Sequence, residues 1–479
     1  MMSIHPDPNQ TRGRPFAGWP LLLLALCACT TLPPQLAAPL PLDMPGAWSG
    51  AAASNAAATS LAQWWQRFDD PLLTELVTQA LQSNTSVAIA QAALRQARAS
   101  RDVAAAGLLP NVGGSASAQR NQSDSGGSNS FRVGLDASWE LDIFGANRSA
   151  LATSEASVRA SAASLGDVQV SIAAEVALAY ITLRNTQARL TIAESNLASQ
   201  QETLQLTQWR EQAGLVSSLE SEQARGAAEQ TRAQLPALQT ALEQTQQALA
   251  VLTGQPPAAL ASVLVATGPL PQADGELALA IPAEALRQRP DVRAAEEQVS
   301  AAAGRVAQAD AARKPSFRLS GSLGLNALTL GSLTSGGAFA AALLAGVSMP
   351  LFDGGAGKAQ VQAQEAAFDQ AQVAYKAALL TALKDVEDAL VALRGDRERV
   401  SRLQAAAEAS STAALLASQR FNSGLIDFQI VLETQRNQRS TQDSVASARA
   451  DVSADHVRLY KALGGGWLPI DPSQPTARR

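Results

Sequence analysis

Few side chains of this sequence could do chemistry. The thiols are Cys27 and Cys29, and the imidazoles are His5 and His456. A nucleophile needs a neighbouring base, and a metal centre needs several ligands at suitable spacing. The sequence contains no Ser/His/Asp arrangement, metal-ligand spacing or phosphate-binding loop. Catalysis and a metal or organic cofactor are therefore not expected, and His456, alone on an Ala/Asp-rich helix, is expected to be a surface residue.

The two cysteines follow a segment that is typical of protein export. Arg12 and Arg14 form a positive region, and the apolar run at 21–26 is too short to span a bilayer as a helix. Residues 1–28 are therefore interpreted as a signal peptide. Its removal would leave Cys29 as the only thiol of the exported chain.

The residues Leu26-Cys27-Ala28-Cys29 resemble the bacterial lipoprotein signal, in which a small residue precedes the cysteine that becomes lipidated and N-terminal. Ala28 before Cys29 fits this pattern. The resemblance implies N-palmitoyl and S-diacylglycerol groups on Cys29, and Thr30 after it favours sorting to the outer membrane. The alternative is an ordinary cleaved signal with incidental cysteines.

Composition limits the fold and the partners. The 479 residues are 16% charged and only 4% aromatic, which favours close-packed helices with small side chains between them. The formal net charge of −5 gives no electrostatic basis for binding nucleic acid.

The sequence consists of two similar halves. Leu81 recurs as Leu286, and Pro110 recurs as Pro315, a shift of 205 residues. Later matches lie at a shift of 210, so small loop insertions explain the drift. The period is far longer than that of a solenoid and indicates a duplicated half-protein.

Each half contains one predicted β-hairpin, near 111–142 and near 316–351. Residues 131–141 alternate strictly between apolar and polar side chains, which predicts a strand with two different faces. Arg132, Asp136 and Glu140 lie on the polar face, and the apolar face includes Trp139. The polar, Gly-rich residues 121–130 are predicted to be a solvated loop.

Helical periodicity follows each hairpin. No strong breaker interrupts Gly145–Ala213 or Gly354–Asn422, so each segment predicts a helix of roughly 100 Å. Each ends at a Gly-Leu pair and turns into a returning helix. Pro236 should kink or locally unwind the first return.

Four strands of about ten residues cannot close a barrel, and an open sheet edge in lipid leaves backbone groups unsatisfied. Three copies would give twelve strands, and two copies would give a narrow eight-stranded barrel. Rows of Ala and Gln suit a wall of helices around a wet interior and favour three copies. A water-soluble helical protein with two small hairpins is the alternative.

The chain divides into segments of different composition. A signal peptide (1–28) and an irregular N-terminal arm (29–70) precede the first repeat (71–253). A Pro-rich connector (254–282), the second repeat (283–463) and a C-terminal tail (464–479) follow.

The duplication, the order of hairpin and long helix, and the two tip motifs resemble the TolC-like outer-membrane factors. These motifs are Ala213-Gly214-Leu215-Val216-Ser217 and Ser423-Gly424-Leu425-Ile426-Asp427. With the lipoprotein signal, the chain is similar to the NodT type of efflux outer-membrane lipoprotein. Trp64-Trp65 with Phe68-Asp69-Asp70-Pro71-Leu72, and Arg289-Pro290-Asp291-Val292, also resemble that branch.

The resemblance implies a mainly α protein with a transmembrane β-barrel. Three copies would form a 12-stranded barrel in the outer membrane and a long α-helical barrel in the periplasm. The connector and terminal segments would form a girdle. The partners would be a periplasmic adaptor (membrane fusion) protein and an inner-membrane transporter of the resistance-nodulation-division type.

The resemblance also assigns roles to single residues. Gly214, Leu215, Gly424 and Leu425 would form the tips that contact the adaptor. Around the trimer axis, acidic side chains would narrow the periplasmic end of the tunnel. The candidates for this gate are Glu433, Gln429 one turn earlier, and Asp427. In the barrel, Arg132, Asp136 and Glu140 would face the pore.

The leading hypothesis is a passive exit duct for small molecules, driven by the partner pump. The same fold would also serve as the outer-membrane duct of a type I (ABC) protein secretion system. A periplasmic coiled-coil scaffold without a pore is a third hypothesis.

Overall fold

The computed structural model describes Trp48 and residues 61–124, 126–273, 286–334 and 339–467. Cys29 and most of the N-terminal arm lie outside the described residues. The described residues form two compact units. One unit contains residues 106–150 and 303–364, and the other contains the remaining described residues.

In both halves, helix precedes a β-hairpin, which is followed by a long helix and a helical return. The first has α1 (Pro71–Ser83), α2 (Thr85–Ala106), β1 (Asn111–Ser123), β2 (Gly126–Leu141), α3 (Ala146–Gln212), α4 (Ser218–Arg232) and α5 (Gln234–Leu252). The short α6 (Ala261–Leu264) lies in the connector. The second has α7 (Pro290–Ala311), β3 (Ser316–Ala327), β4 (Phe339–Ser348), α8 (Ala356–Asn422) and α9 (Phe428–Ala462). Because α3 and α8 each have 67 residues, each is about 100 Å long, and the predicted duplication is confirmed.

Proline explains the main difference between the two returning helices. The first return is interrupted at Ala233, between α4 and α5, three residues before Pro236. The predicted break is therefore confirmed. The second return, α9, contains no proline and continues unbroken for 35 residues.

The four strands form one antiparallel sheet in the order β1-β2-β3-β4. The central pair joins the two halves, with Leu135 opposite Leu323 and Asp136 opposite Ser322. Because neighbouring side chains of a strand point to opposite faces, this register aligns the apolar residues on one face and the polar residues on the other. The two-faced strand predicted at 131–141 is confirmed.

The loop predicted at 121–130 is wrong. Gln122 pairs with Gly127 and Ser123 with Gly126, so the ladder continues almost to the end of the hairpin. Paired strand therefore replaces most of the predicted loop. Polar and Gly-rich composition reported solvent exposure correctly, but it did not determine the backbone conformation.

An aromatic cluster joins the N-terminal arm to the last helix. Trp64 and Phe68 belong to a short 3₁₀ helix, Trp64–Phe68, and both pack against Tyr460 of α9. The ring centroids lie 5.3 Å (Trp64–Tyr460) and 6.2 Å (Phe68–Tyr460) apart. The tryptophan motif therefore anchors the arm to the core of the helical unit.

Among the helices in the described residues, α3 is the one long and apolar enough to cross a membrane. More than half of its apolar segment is buried inside the protein. We therefore interpret α3 as a core helix.

The prediction that His456 is a surface residue is wrong. Its side chain is buried, with Nδ1 2.9 Å from the carbonyl of Val452 and Nε2 3.1 Å from Nη2 of Arg397. Because arginine only donates hydrogen bonds, Nε2 accepts and Nδ1 donates, which defines a neutral ring. Burial, and then the positive charges of Arg397 and Arg67, lower the pKa of His456 below 6.5. The prediction failed because the Ala/Asp-rich composition around His456 does not show that other elements pack against this side of the helix.

This buried neutral histidine predicts a loss of stability in acid. The unfolded chain binds a proton at His456 more readily than the folded chain does, so the stability contribution is complete above about pH 6.5 and is lost as the pH falls further. We expect the thermal midpoint to drop between about pH 7.5 and pH 5.5. His456→Gln should flatten this drop, and an equal drop in both proteins would contradict the assignment.

Candidate functional site

The first long helix ends in a tight turn at Gly214. The amide of Leu215 donates to the carbonyl of Arg210 at 2.8 Å, and the amide of Gly214 donates to the carbonyl of Glu211 at 2.9 Å. This pair of hydrogen bonds is the Schellman motif, in which the residue that follows the C-cap of the helix, here Gly214, has a positive φ. Gly214 has φ +67°, so a side chain there would be strained.

The second long helix ends in the same way. The amide of Leu425 donates to the carbonyl of Arg420, and that of Gly424 to the carbonyl of Phe421, both at 2.9 Å. Gly424 has φ +72°. The two tips are therefore copies of one local structure.

The leucine at each tip has no packing partner of the usual kind. In a Schellman motif, the apolar residue after the glycine commonly packs against the last helical turn. Here that turn carries Arg210 or Arg420, and Leu215 and Leu425 are 74% and 72% exposed. Each tip therefore exposes one leucine on a turn that its backbone hydrogen bonds define.

The helices that return from the tips begin differently. Before α4, Ser217 and Glu220 form a reciprocal capping box, and the hydrogen bond from Ser217 lowers the pKa of Glu220. Before α9, the side chain of Asp427 makes no capping bond and is exposed. Asp427 therefore lies free in the turn, within the described part of the chain.

The remaining gate candidates lie on the first two turns of α9. Gln429 and Glu433 are exposed and one helical turn apart, on the same side of the helix. Phe428 and Val431 lie on the opposite, buried side. The structure thus orients the predicted pair away from the core, and Asp427 precedes them outside the helix.

A buried cluster joins the two tips. Phe421 and Phe428 lie 5.2 Å apart between ring centroids and pack with Ala224, Ala417 and Val431. The guanidinium of Arg210, from the first tip, lies 4.7 Å from the Phe421 ring. Sequence reasoning missed Arg210. The recurrence of arginine four residues before each tip glycine was the available signal.

On the sheet, the predicted pore-facing residues share one face. Asp136 accepts a hydrogen bond from Ser115 Oγ at 2.9 Å, and Glu140 lies 3.8 Å from Arg318. Arg132 stands on the same face and is exposed. Their partners on the neighbouring strands include Ser117, Asn326, Ser322 and Arg318, so this face of the sheet is polar.

The opposite face is apolar and carries Phe131, Val133 and Trp139. Val133 faces Leu325 across the β2–β3 pair. Trp139 also donates from Nε1 to the carbonyl of Leu108 at 3.0 Å. An apolar band with a hydrogen-bonded tryptophan at one end suits a lipid-facing surface.

Comparisons with known proteins agree with this architecture. The family model described as "Outer membrane efflux protein" matches residues 76–255 and 281–465. The chain is 34% identical to the pyoverdine export outer membrane protein OpmQ of Pseudomonas putida, over 95% of this chain and 98% of the relative. It is 29% identical to nodulation protein T of Rhizobium leguminosarum bv. viciae, over 95% and 94%.

The fold also matches a solved channel. The structure of the outer-membrane channel OprN superposes with a TM-score of 0.83 at 35% identity, covering 88% of this chain and 97% of that one. The resemblance to TolC-like, NodT-type proteins is thereby confirmed. The chain belongs to the outer membrane efflux protein family, and it is an outer-membrane channel component of an efflux system with a large periplasmic portion.

Proposed function

We propose that three copies of this chain form a passive exit duct for small molecules. The observation that carries this proposal is the open sheet. β1 and β4 are its edges, and an edge in lipid would leave a row of backbone groups unpaired. The second strand of repeat one pairs with the first strand of repeat two. If the last strand of each repeat pairs in the same way with the first strand of the next repeat, β4 of one copy lies beside β1 of the next copy, and the sheet closes into a ring.

In this ring, the two faces of the sheet take different surroundings. Arg132, Asp136 and Glu140 face the water-filled pore, and the apolar face meets lipid. Three copies supply twelve strands, whereas two copies supply eight and leave little interior space. The duct has no energy source of its own, so a pump in the inner membrane drives export.

The tips form the docking surface for the periplasmic adaptor. Leu215 and Leu425 are the exposed apolar residues that the adaptor covers, on turns whose geometry Gly214 and Gly424 maintain. The relatives include an export protein for pyoverdine and a toluene efflux pump outer membrane protein. Small molecules, moved by a resistance-nodulation-division transporter, are therefore the proposed cargo.

Photocrosslinking in cells tests this partnership. A photoreactive amino acid replaces Leu425, and mass spectrometry identifies the captured protein. Capture of the adaptor of a resistance-nodulation-division pump is expected. Capture of an ABC exporter's adaptor would instead identify a protein or peptide secretion duct. Capture of neither would contradict the docking surface.

Glu433 is the proposed gate residue. Threefold symmetry places three Glu433 carboxylates around one axis, where like charges repel and bind cations. Gln429 and Asp427 line the same narrow end. We expect Glu433→Ala to raise single-channel conductance in planar bilayers, because it removes both the bulk and the bound cations. The matched control is Glu398→Ala on α8. An unchanged conductance for Glu433→Ala would remove it from the gate.

Cys29 is the proposed lipid anchor, carrying N-palmitoyl and S-diacylglycerol groups. We expect Cys29→Ser to abolish incorporation of radiolabelled palmitate and to reduce the amount of protein in the outer-membrane fraction. Cys27→Ser, two residues away, should leave both unchanged. Lipid labelling of the Cys29→Ser protein would contradict the anchor.

A further inference from the structure

Arg210 connects the ends of the two long helices within one chain. Its Nη1 donates to the carbonyl of Phe421 at 3.3 Å, and its Nη2 to the carbonyl of Asn422 at 3.0 Å. The last carbonyls of a helix have no partner within the helix and carry partial negative charge, so a cation stabilises them. Stacking on the Phe421 ring at 4.7 Å adds a cation–π contact.

The duplication gives the second tip an arginine in the same place. Arg420 occupies the position on α8 that Arg210 occupies on α3, since each carbonyl accepts the bond from the leucine after the tip glycine. The side chain of Arg420 is exposed and has no hydrogen bond or ion pair within the described residues. The carbonyl of Gln212 is the equivalent of the Asn422 carbonyl. Within the described residues, it likewise accepts no hydrogen bond from a side chain.

We propose that Arg420 makes the Arg210 contact across the subunit boundary, with a second copy of this chain. Its guanidinium donates to the carbonyl of Gln212 at the end of α3 in the neighbouring copy. This inference rests on the proposed ring. A closed ring of alternating repeats has approximate sixfold symmetry, which relates a contact from repeat one to repeat two within a chain to an equivalent contact from repeat two to repeat one between chains. The strand pairing obeys the same rule.

The two contacts differ in chemistry. The residue that matches Phe421 in the first repeat is Glu211, which has no side-chain partner within the described residues. Arg210 therefore stacks on an aromatic ring, whereas Arg420 pairs with a carboxylate of the neighbouring copy. An exposed ion pair is screened by salt more than an aromatic contact is. At the tips, the contacts between subunits are therefore more sensitive to salt than the contacts within one chain.

Cysteine crosslinking of the full-length protein in cells tests the contact. The natural cysteines are Cys27 and Cys29, so the body of the chain is free of thiols. With a short bismaleimide, Arg420→Cys/Gln212→Cys should move most of the protein into dimer and trimer bands on denaturing gels. Each single variant should stay largely monomeric. The matched pair Arg210→Cys/Asn422→Cys should crosslink within one chain and produce no ladder.

The outcomes separate this inference from the proposed function. If the double-cysteine complex has the mass of three copies but produces no ladder, the contact is wrong and the duct stands. If the complex has the mass of one copy, both fail. A second test uses the protein without the introduced cysteines. There, Arg420→Glu should lower the temperature at which the complex dissociates, and the added substitution Glu211→Arg should restore that temperature. No restoration would contradict the ion pair.

Discussion

Aspartate at both tips, in the double variant Leu215→Asp/Leu425→Asp, is expected to abolish adaptor binding and efflux. Both leucines are more than 70% exposed in the chain itself, so their substitution leaves the core intact. Burying a leucine against a partner contributes about 1.5–3 kcal/mol. Losing two such contacts weakens binding by about two to four powers of ten. Adaptor binding to the purified channel measures this effect, and drug accumulation in cells lacking the native channel measures its consequence.

A matched control separates the tip from exposed leucines in general. Leu328 is 71% exposed and follows β3, in the other compact unit. Leu328→Asp is therefore the same chemical change at equal exposure, and it should leave adaptor binding unchanged. If the double tip variant binds the adaptor as tightly as the Leu328 variant does, the tips are not the docking surface.

Arg289→Ala is expected to destabilise the helical unit by about 3 kcal/mol, because it leaves two half-buried carboxylates and the carbonyl of a buried residue without their partner. Arg289 is 8% exposed, and its guanidinium lies 2.7 Å from Asp291 and 3.1 Å from Asp385. It also donates to the carbonyl of Ala462 at 2.9 Å, at the end of α9. The two carboxylates are 33% and 40% exposed, which limits the expected cost to the lower part of the range for buried pairs.

Thermal unfolding of the detergent-solubilised protein, at one fixed concentration, measures the effect of Arg289→Ala. The control is Arg402→Ala, since Arg402 is 81% exposed and lies 3.9 Å from Glu398. An exposed pair of this kind contributes less than about 1 kcal/mol. Equal melting temperatures for the two variants would show that the contacts of Arg289 stabilise the protein no more than those of the exposed Arg402.

Sequence patterns predicted the features that local physics determines. The two-faced strand at 131–141 follows from alternation, and the end of each long helix follows from the glycine that adopts a positive φ. The break before Pro236 follows from a missing amide donor. Each of these signals acts within a few residues along the chain.

Features that depend on distant contacts could not be predicted. His456 is buried because Arg397 of α8 and the aromatic cluster cover its side of α9. The contact of Arg210 with the end of α8 joins residues more than 200 positions apart. No periodicity within one helix records such a partner, although the duplication marks both arginines as equivalent.

The mass of the intact complex tests the proposed ring most directly. Native mass spectrometry of the full-length protein, extracted from the outer membrane in detergent, counts the copies in each assembly. Three copies are expected, because twelve strands close a barrel and three Glu433 carboxylates meet at one axis. A complex of one copy would leave β1 and β4 unpaired in lipid, and a complex of two would remove the threefold gate. Either mass would contradict the proposed duct.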